Sequence, residues 1–191
     1  MTITDILDSK GFGDVVTGLT SSAVFLLLLY FLKPRVRISD FISSCYDNDA
    51  AQQRYYFKIL NRSLFFKIYD IKVRAYSCEN IPSHNGDDVI FKEIELKKTN
   101  QWVMARMNFK HLWQEFFIGD KRLNSRSDYA AQFSTYVNLS DVLKQKSYIR
   151  IEVLAKHSLT GFSIVKTKTY KHVSNIKKGS FNSGNTCKIA E

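Results

Sequence analysis

Proline and glycine are scarce in this chain, at two and eight residues. That scarcity excludes collagen-like and low-complexity architectures, which depend on those residues. Cysteine is limited to Cys45, Cys78 and Cys187, an odd number with no CxxC and no Cys–His cluster. Neither a disulfide framework nor a metal site is encoded in such spacing, and three ordinary thiols fit a reducing compartment such as the cytosol. His84, His111, His157 and His172 are scattered, with no HExxH or paired spacing. No glycine-rich phosphate loop occurs either: Gly11-Phe12-Gly13 precedes the long apolar run and is not a nucleotide fingerprint. Asp87-Asp88 is the one adjacent carboxylate pair that stands out, and it reads as a solvated turn. Lys156-His157-Ser158 puts a base beside a hydroxyl. Adjacent strand residues point to opposite faces, however, so the pair would not meet, and the triplet reads as surface loop. The sequence thus predicts no catalytic residues, no metal and no cofactor, and a protein that is not an enzyme.

What the chain does contain is apolar and aromatic: 45% hydrophobic residues, with 14 Phe and 10 Tyr, far from a disordered composition. The run from Val15 to Leu32 carries no charge. Eighteen residues at about 1.5 Å rise span about 27 Å, close to a bilayer's hydrocarbon thickness. A cleaved signal peptide and a buried helix are the rival readings. The preceding segment is acidic rather than basic, and Lys33-Pro34-Arg35 follows in place of a small-residue cleavage site. A single-pass transmembrane helix over 15–32 is therefore predicted, between an extracytoplasmic tail over 1–14 and a domain over 33–191. Lys33, Arg35 and Arg37 flank the run on its C-terminal side, against Lys10 alone before it. The positive-inside bias then places the N-terminus outside and the C-terminal domain in the cytoplasm, in an inner-membrane setting.

Gly18 and Ser22 are four residues apart, as are Thr17 and Ser21, so small residues share one helical face suited to close helix–helix approach. The alternative is that they only dilute hydrophobicity. Ahead of the run, Ile3, Ile6 and Leu7 have helical spacing, with Thr2 or Thr4 as cap and Gly11 as stop, which fits a short interfacial turn or a frayed tail.

Past Pro34 the pattern changes to period two. Val36-Arg37-Ile38, Arg54 to Leu60, Tyr69 to Ala75, Glu93 to Lys97, Gln101 to Ala105, Ala130 to Tyr136, Ile149 to Lys156 and Phe162 to Tyr170 all read as strands. Turn signals separate them at 82–87, 98–100 and 160–161. About eight short strands, apolar on one face and polar on the other, predict a mainly β fold: an antiparallel, immunoglobulin-like β-sandwich or partly closed barrel. Ser140 can cap a helical turn over Asp141 to Gln145. Phe109, Leu112, Trp113, Phe116 and Phe117 have helical spacing and fit an aromatic cover over a sandwich edge or a loop meeting the membrane. Asn61-Arg62-Ser63 and Asn138-Leu139-Ser140 match the glycosylation triplet, which arises often by chance.

Net charge is +10, yet residues 1–32 carry −2 (Asp5, Asp8, Asp14, Lys10), leaving +12 for the rest. Anionic lipid is the plain partner for such a domain, with a phosphorylated, nucleotide-like molecule as the sharper one. Lys166, Lys168, Lys171, Lys177 and Lys178 form the candidate anion surface, although a solvated strand face is the plainer explanation of the same lysines. Only Tyr170 and Phe181 interleave there, too few for base stacking, so no nucleic-acid partner is expected.

Ser127 to Phe133, Tyr148 to Phe162 and the ending Lys178 to Asn185 resemble cytoplasmic β domains that follow a short membrane module in some bacterial proteins, including ion-channel-like modules. Pore helices and a selectivity filter do not accompany them here, so the resemblance implies the β domain rather than a channel. In architecture the chain is also similar to bacterial antiphage effectors that join two membrane helices to a nucleotide-sensing β-barrel, although it has one helix. These resemblances imply a membrane-anchored sensor that self-associates, with an accessory subunit of a channel or transporter as the alternative.

Overall fold

A computed structural model describes residues 10–31, 34–63, 66–84, 86–107, 129–145, 147–158, 161–184 and 186–190. The expected N-terminal turn, Lys33 and the aromatic segment beyond Met107 lie outside the described residues. The chain divides into two units, Met1–Lys33 and Pro34–Glu191.

The first unit is the helix α1 (Lys10–Phe31). Its Gly13–Tyr30 window has a mean hydropathy of 1.5 and is 0% buried, so it is long and apolar enough to cross a membrane. Gly11 does not act as the expected stop, because α1 runs through it uninterrupted. A glycine in a helix costs about 1 kcal/mol relative to alanine without forbidding helical geometry.

In the second unit the strands are β1 (Val36–Ile38), β2 (Ile42–Asp47), β3 (Gln52–Asn61), β4 (Ile68–Ser83), β5 (Gly86–Ile94) and β6 (Asn100–Met104). After 108–128 come β7 (Ala130–Thr135), α2 (Leu139–Lys144), β8 (Tyr148–His157), β9 (Ser163–Tyr170), a 3-10 turn (Val173–Asn175), β10 (Ile176–Lys178), β11 (Ser180–Phe181) and β12 (Ile189–Ala190). One sheet is centred on β3: β1 and β2 pair in succession with one edge and β7 with the other. β10 then joins β2 in parallel. The other sheet is centred on β4, with β5 and β6 in succession on one edge, β8 on the other and β9 outside β8.

If β1–β2 and β5–β6 each count as one interrupted strand, the second and fifth strands are neighbours in one sheet and the third and sixth in the other. That wiring is an immunoglobulin-like sandwich, with the fourth strand attached to the third rather than the fifth. Among the described residues no strand ladder joins the two sheets, although Lys97 N donates to Ser134 O of β7 at 2.8 Å where their edges meet, so the fold is a sandwich or half-barrel. Between the sheets Ile42, Phe57, Ile59 and Phe133 face Val73, Ala75, Ile151 and Val153, all fully buried. Each large aliphatic there contributes about 1.5–3 kcal/mol of transfer free energy.

Local departures from simple alternation have identifiable causes. Asp70 takes a positive φ of 48°, and the β4–β8 register shifts between Tyr69 and Lys72. This bulge reverses the parity: Ile68 and Ile71 both point inward, whereas Tyr69 turns out against Trp102. The expected turn at 98–100 is not a reversal, since β5 and β6 continue along the same edge of β4 on either side of 95–99. Thr99 O accepts from Val73 N at 2.8 Å and so bridges that gap. Asn138, not Ser140, caps α2, its side chain accepting from Ser140 N at 3.2 Å. His157 is no surface loop: it ends β8 at 2% exposure, its ring edge-on to Phe66 at 4.6 Å. Burial pushes that imidazole below its ordinary range.

Candidate functional site

The small-residue face of α1 keeps its polarity within the helix. Ser22 Oγ donates to Gly18 O, and Thr17 Oγ1 to Gly13 O, each at 2.8 Å. Such back-bonding satisfies a hydroxyl in an apolar surround. A Cβ placed on Gly18 would meet nothing within 4 Å, so this side of the helix lies open. Thr17, Gly18, Ser21 and Ser22 are all exposed.

The five lysines lie along one side of the sandwich. β9 is the outermost strand of its sheet and β10 of the other, and residues 171–175 pass directly between them. Lys166 and Lys168 pair with Val153 and Ile151, so they lie on the interior-facing side of an edge strand, beyond the packed core. Lys168 Nζ reaches across to Asp40 at 2.6 Å, and Arg37 holds the same carboxylate at 3.0 Å. Those two cations, Lys168 foremost, hold the Asp40 carboxyl below its usual range. Lys177 Nζ sits 3.8 Å over the Phe41 ring. Lys168, Lys177 and Arg37 are therefore engaged within the fold, while Lys166, Lys171 and Lys178 stay exposed. Lys171 borders an open polar recess of about 460 Å³ with Asn80, Ser147, Tyr148 and Thr169. Arg35 is exposed at the start of the sandwich, its N–H donating to Ser63 Oγ at 3.0 Å. Tyr170 and Phe181 are buried at 1% and 8% exposure, which removes both rings from any stacking role on this surface.

Sequence reasoning missed a second polar assembly, on the outer face of the β3 sheet. Lys58 is 2% exposed, and its ammonium donates to the carbonyls of Asn182 (2.7 Å), Gly184 (2.9 Å) and Thr186 (2.7 Å). Those carbonyls belong to the segment around the β11–β12 pair, which lies over Lys58. Gly179 starts that segment at φ 113°, and a Cβ there would run into the backbone of Ala190. Its carbonyl accepts from Cys45 Sγ at 2.9 Å and from Ser43 Oγ. Beside this cover, Arg54 lies 4.9 Å over Tyr56 and 5.4 Å over Tyr136 and binds Asp47 at 3.2 Å. Tyr136 OH donates to Asp47 at 2.9 Å; this hydrogen bond, ahead of Arg54, lowers the Asp47 carboxyl, and the same bond raises the Tyr136 phenol against the opposing pull of Arg54. The one available signal was a lysine and an arginine inside the otherwise apolar run Arg54 to Leu60.

All three cysteines are free thiols, Cys78 fully buried. Among the described residues no three His, Cys, Asp or Glu side chains converge to hold a metal ion. Asn61 of the first glycosylation triplet is buried and donates to Ala105 O at 2.9 Å, so it is closed to modification in the folded domain. No protein-family model matches the chain, and no curated protein aligns with it significantly.

Proposed function

We propose that this chain is a membrane-anchored binding module, tethered by α1 and oriented with its sandwich in the cytoplasm, which senses an anion at the β9–β10 side. The observation that carries the reading is the combination of an exposed apolar helix with three exposed lysines on the β9–β10 side, of which Lys171 borders a polar recess. Anionic lipid and a nucleotide-like phosphate share the required chemistry: negative charge presented to ammonium groups at the surface. Self-association through the Gly18–Ser22 face would couple sensing to the membrane, a plan that fits a bacterial defence effector. Arg35 and Arg37 support the cytoplasmic orientation.

The test uses the full chain in zwitterionic detergent, titrated with a cyclic dinucleotide, a mononucleotide and anionic-lipid micelles. The sensor reading expects saturable nucleotide binding that weakens more than about tenfold in Lys166→Gln/Lys171→Gln/Lys178→Gln, with a steep salt dependence. Binding to anionic lipid alone makes the side a bilayer contact. Binding to none of the three removes the sensor reading. An accessory-subunit role would then stand, and Trp102 favours it: its indole is 76% exposed and backed edge-on by Tyr69 at 6.4 Å.

A further inference from the structure

Every open sheet presents edges whose unpaired N–H and C=O groups invite another strand, and natural folds guard them with charge, shortness or cover. Three edges here are guarded in those ways. β9 aims Lys166 and Lys168 toward the interior side. β10 is only three residues long. β7 gives Ser134 O to Lys97 N at 2.8 Å. The edge formed by β5 carries charge of both signs (Asp87, Asp88, Lys92 and Glu93), but among the described residues it is neither short nor covered. It runs nine residues, of which only Ile94 is buried, and exposes Val89 (36%), Ile90 (54%) and Phe91 (49%). Its partner stretch, Glu79–Ser83 of β4, is exposed as well. The β4–β5 hairpin therefore projects as a two-stranded arm with solvent on both faces, an arrangement of marginal stability by itself.

We infer that β5 pairs antiparallel with β5 of a second copy of this chain, about a two-fold axis through Ile90. The register follows from parity and charge. Backbone groups facing outward alternate along an edge strand, so opposed residues must both be odd-numbered or both even-numbered. Centring on Ile90 overlaps the whole strand and sets Asp88 opposite Lys92 twice, once on each side of the axis. It also sets Val89 opposite Phe91 twice, and Ile90 opposite itself. The neighbouring allowed centres, at Val89 or Phe91, break both Asp88–Lys92 pairs and place Ile90 opposite Asp88 or Lys92. Asp87 opposite Glu93 is the unfavourable match and also occurs twice, but at the two ends of the ladder, where strands fray and solvent screens like charges most. Phe91 is preset for the contact, its ring packed edge-on to Tyr76 at 6.0 Å and under Arg150 at 5.7 Å. A contact that uses the same patch on both copies closes on itself, so the product is a dimer rather than a fibre. Four strands in place of two would also support the projecting arms.

The test is disulfide trapping of the full chain in membranes under a mild oxidant. Directly opposed residues lie about 4.5–5.5 Å apart at Cα, within disulfide reach. Ile90→Cys is expected to give a dominant dimer band. The parent chain with its three native thiols, and Val165→Cys on the guarded β9 edge, should stay at background. Within the Ile90→Cys protein, Asp88→Lys and Lys92→Asp should each cut dimer yield several-fold, and the double reversal should restore it. Equal bands for the Ile90 and Val165 variants, single reversals without effect, or a double reversal that fails to restore the band would each overturn the inference.

Discussion

On the β3 sheet part of the outward face is covered, Lys58 by three carbonyls of the 182–186 stretch and Ser43 by Gly179. On the β4 sheet the outward side chains meet water. Arg150 pairs with Glu152 at 2.9 Å, and Lys156 with Asp70 at 2.7 Å, all of them partly exposed. Both faces are polar and charged, yet they follow different physics. A covered ammonium must have each donor satisfied by protein, because no solvent can stand in. A wet ion pair exchanges one set of good partners for another, and its net contribution is small. Similar residue types on the two outer faces therefore carry very different weights in stability.

Substitutions can break that contrast in a graded order. The shared interior sets the upper bound: Val73→Asp buries an unpaired carboxylate at a fully buried position, costing about as much as the whole domain's 5–15 kcal/mol. Circular dichroism should then show no cooperative melt. Next is the covered face. Lys58→Ala should cost about 2–3 kcal/mol, because charge-assisted hydrogen bonds are lost and the carbonyls over it lose their donor. Limited proteolysis should then cut within 180–190, a site protected in the parent; unchanged protection would show that the segment is held by other contacts.

A smaller effect is expected at Tyr170, whose hydroxyl donates to Ser39 O at 2.6 Å across the sheets. Burial raises its phenol above the ordinary value of about 10. The folded state therefore keeps the proton longer than the unfolded chain, and the stabilisation is complete below pH 10 and lost as pH rises beyond it. Tyr170→Phe should lower stability by about 1 kcal/mol near neutrality and flatten the fall in Tm between pH 10 and 11. A slope unchanged in the variant would assign the alkaline loss elsewhere. The smallest change belongs to the wet face: Glu152→Gln should shift stability by less than about 0.5 kcal/mol, and a larger loss there would erase the contrast between the two faces.

The interior was legible in the sequence because period two marks which side of a strand is apolar. Ile71, Val73, Ala75, Ile149, Ile151 and Val153 are all fully buried, as that pattern requires. Alternation cannot register an inserted residue that reverses parity, so period two by itself puts Tyr69 on the wrong side of the Asp70 bulge. It marks a polar side without telling what covers it: Lys58 meets carbonyls 124 to 128 positions away. The basic side followed the same rule. Its lysines were visible, but the engagement of Lys168 was not, because Asp40 lies 128 positions earlier.

The separation between Lys58 and its carbonyls also sets a schedule for biosynthesis. A ribosome adding about 5–20 residues per second delivers Lys58 roughly 6–25 s before the 182–186 stretch that encloses it. Through that interval β3 can pair with β2, but its outward ammonium remains in water. The covered part of this sheet's outer surface is thus closed to nascent-chain chaperones only once the last stretch of the sandwich has been made.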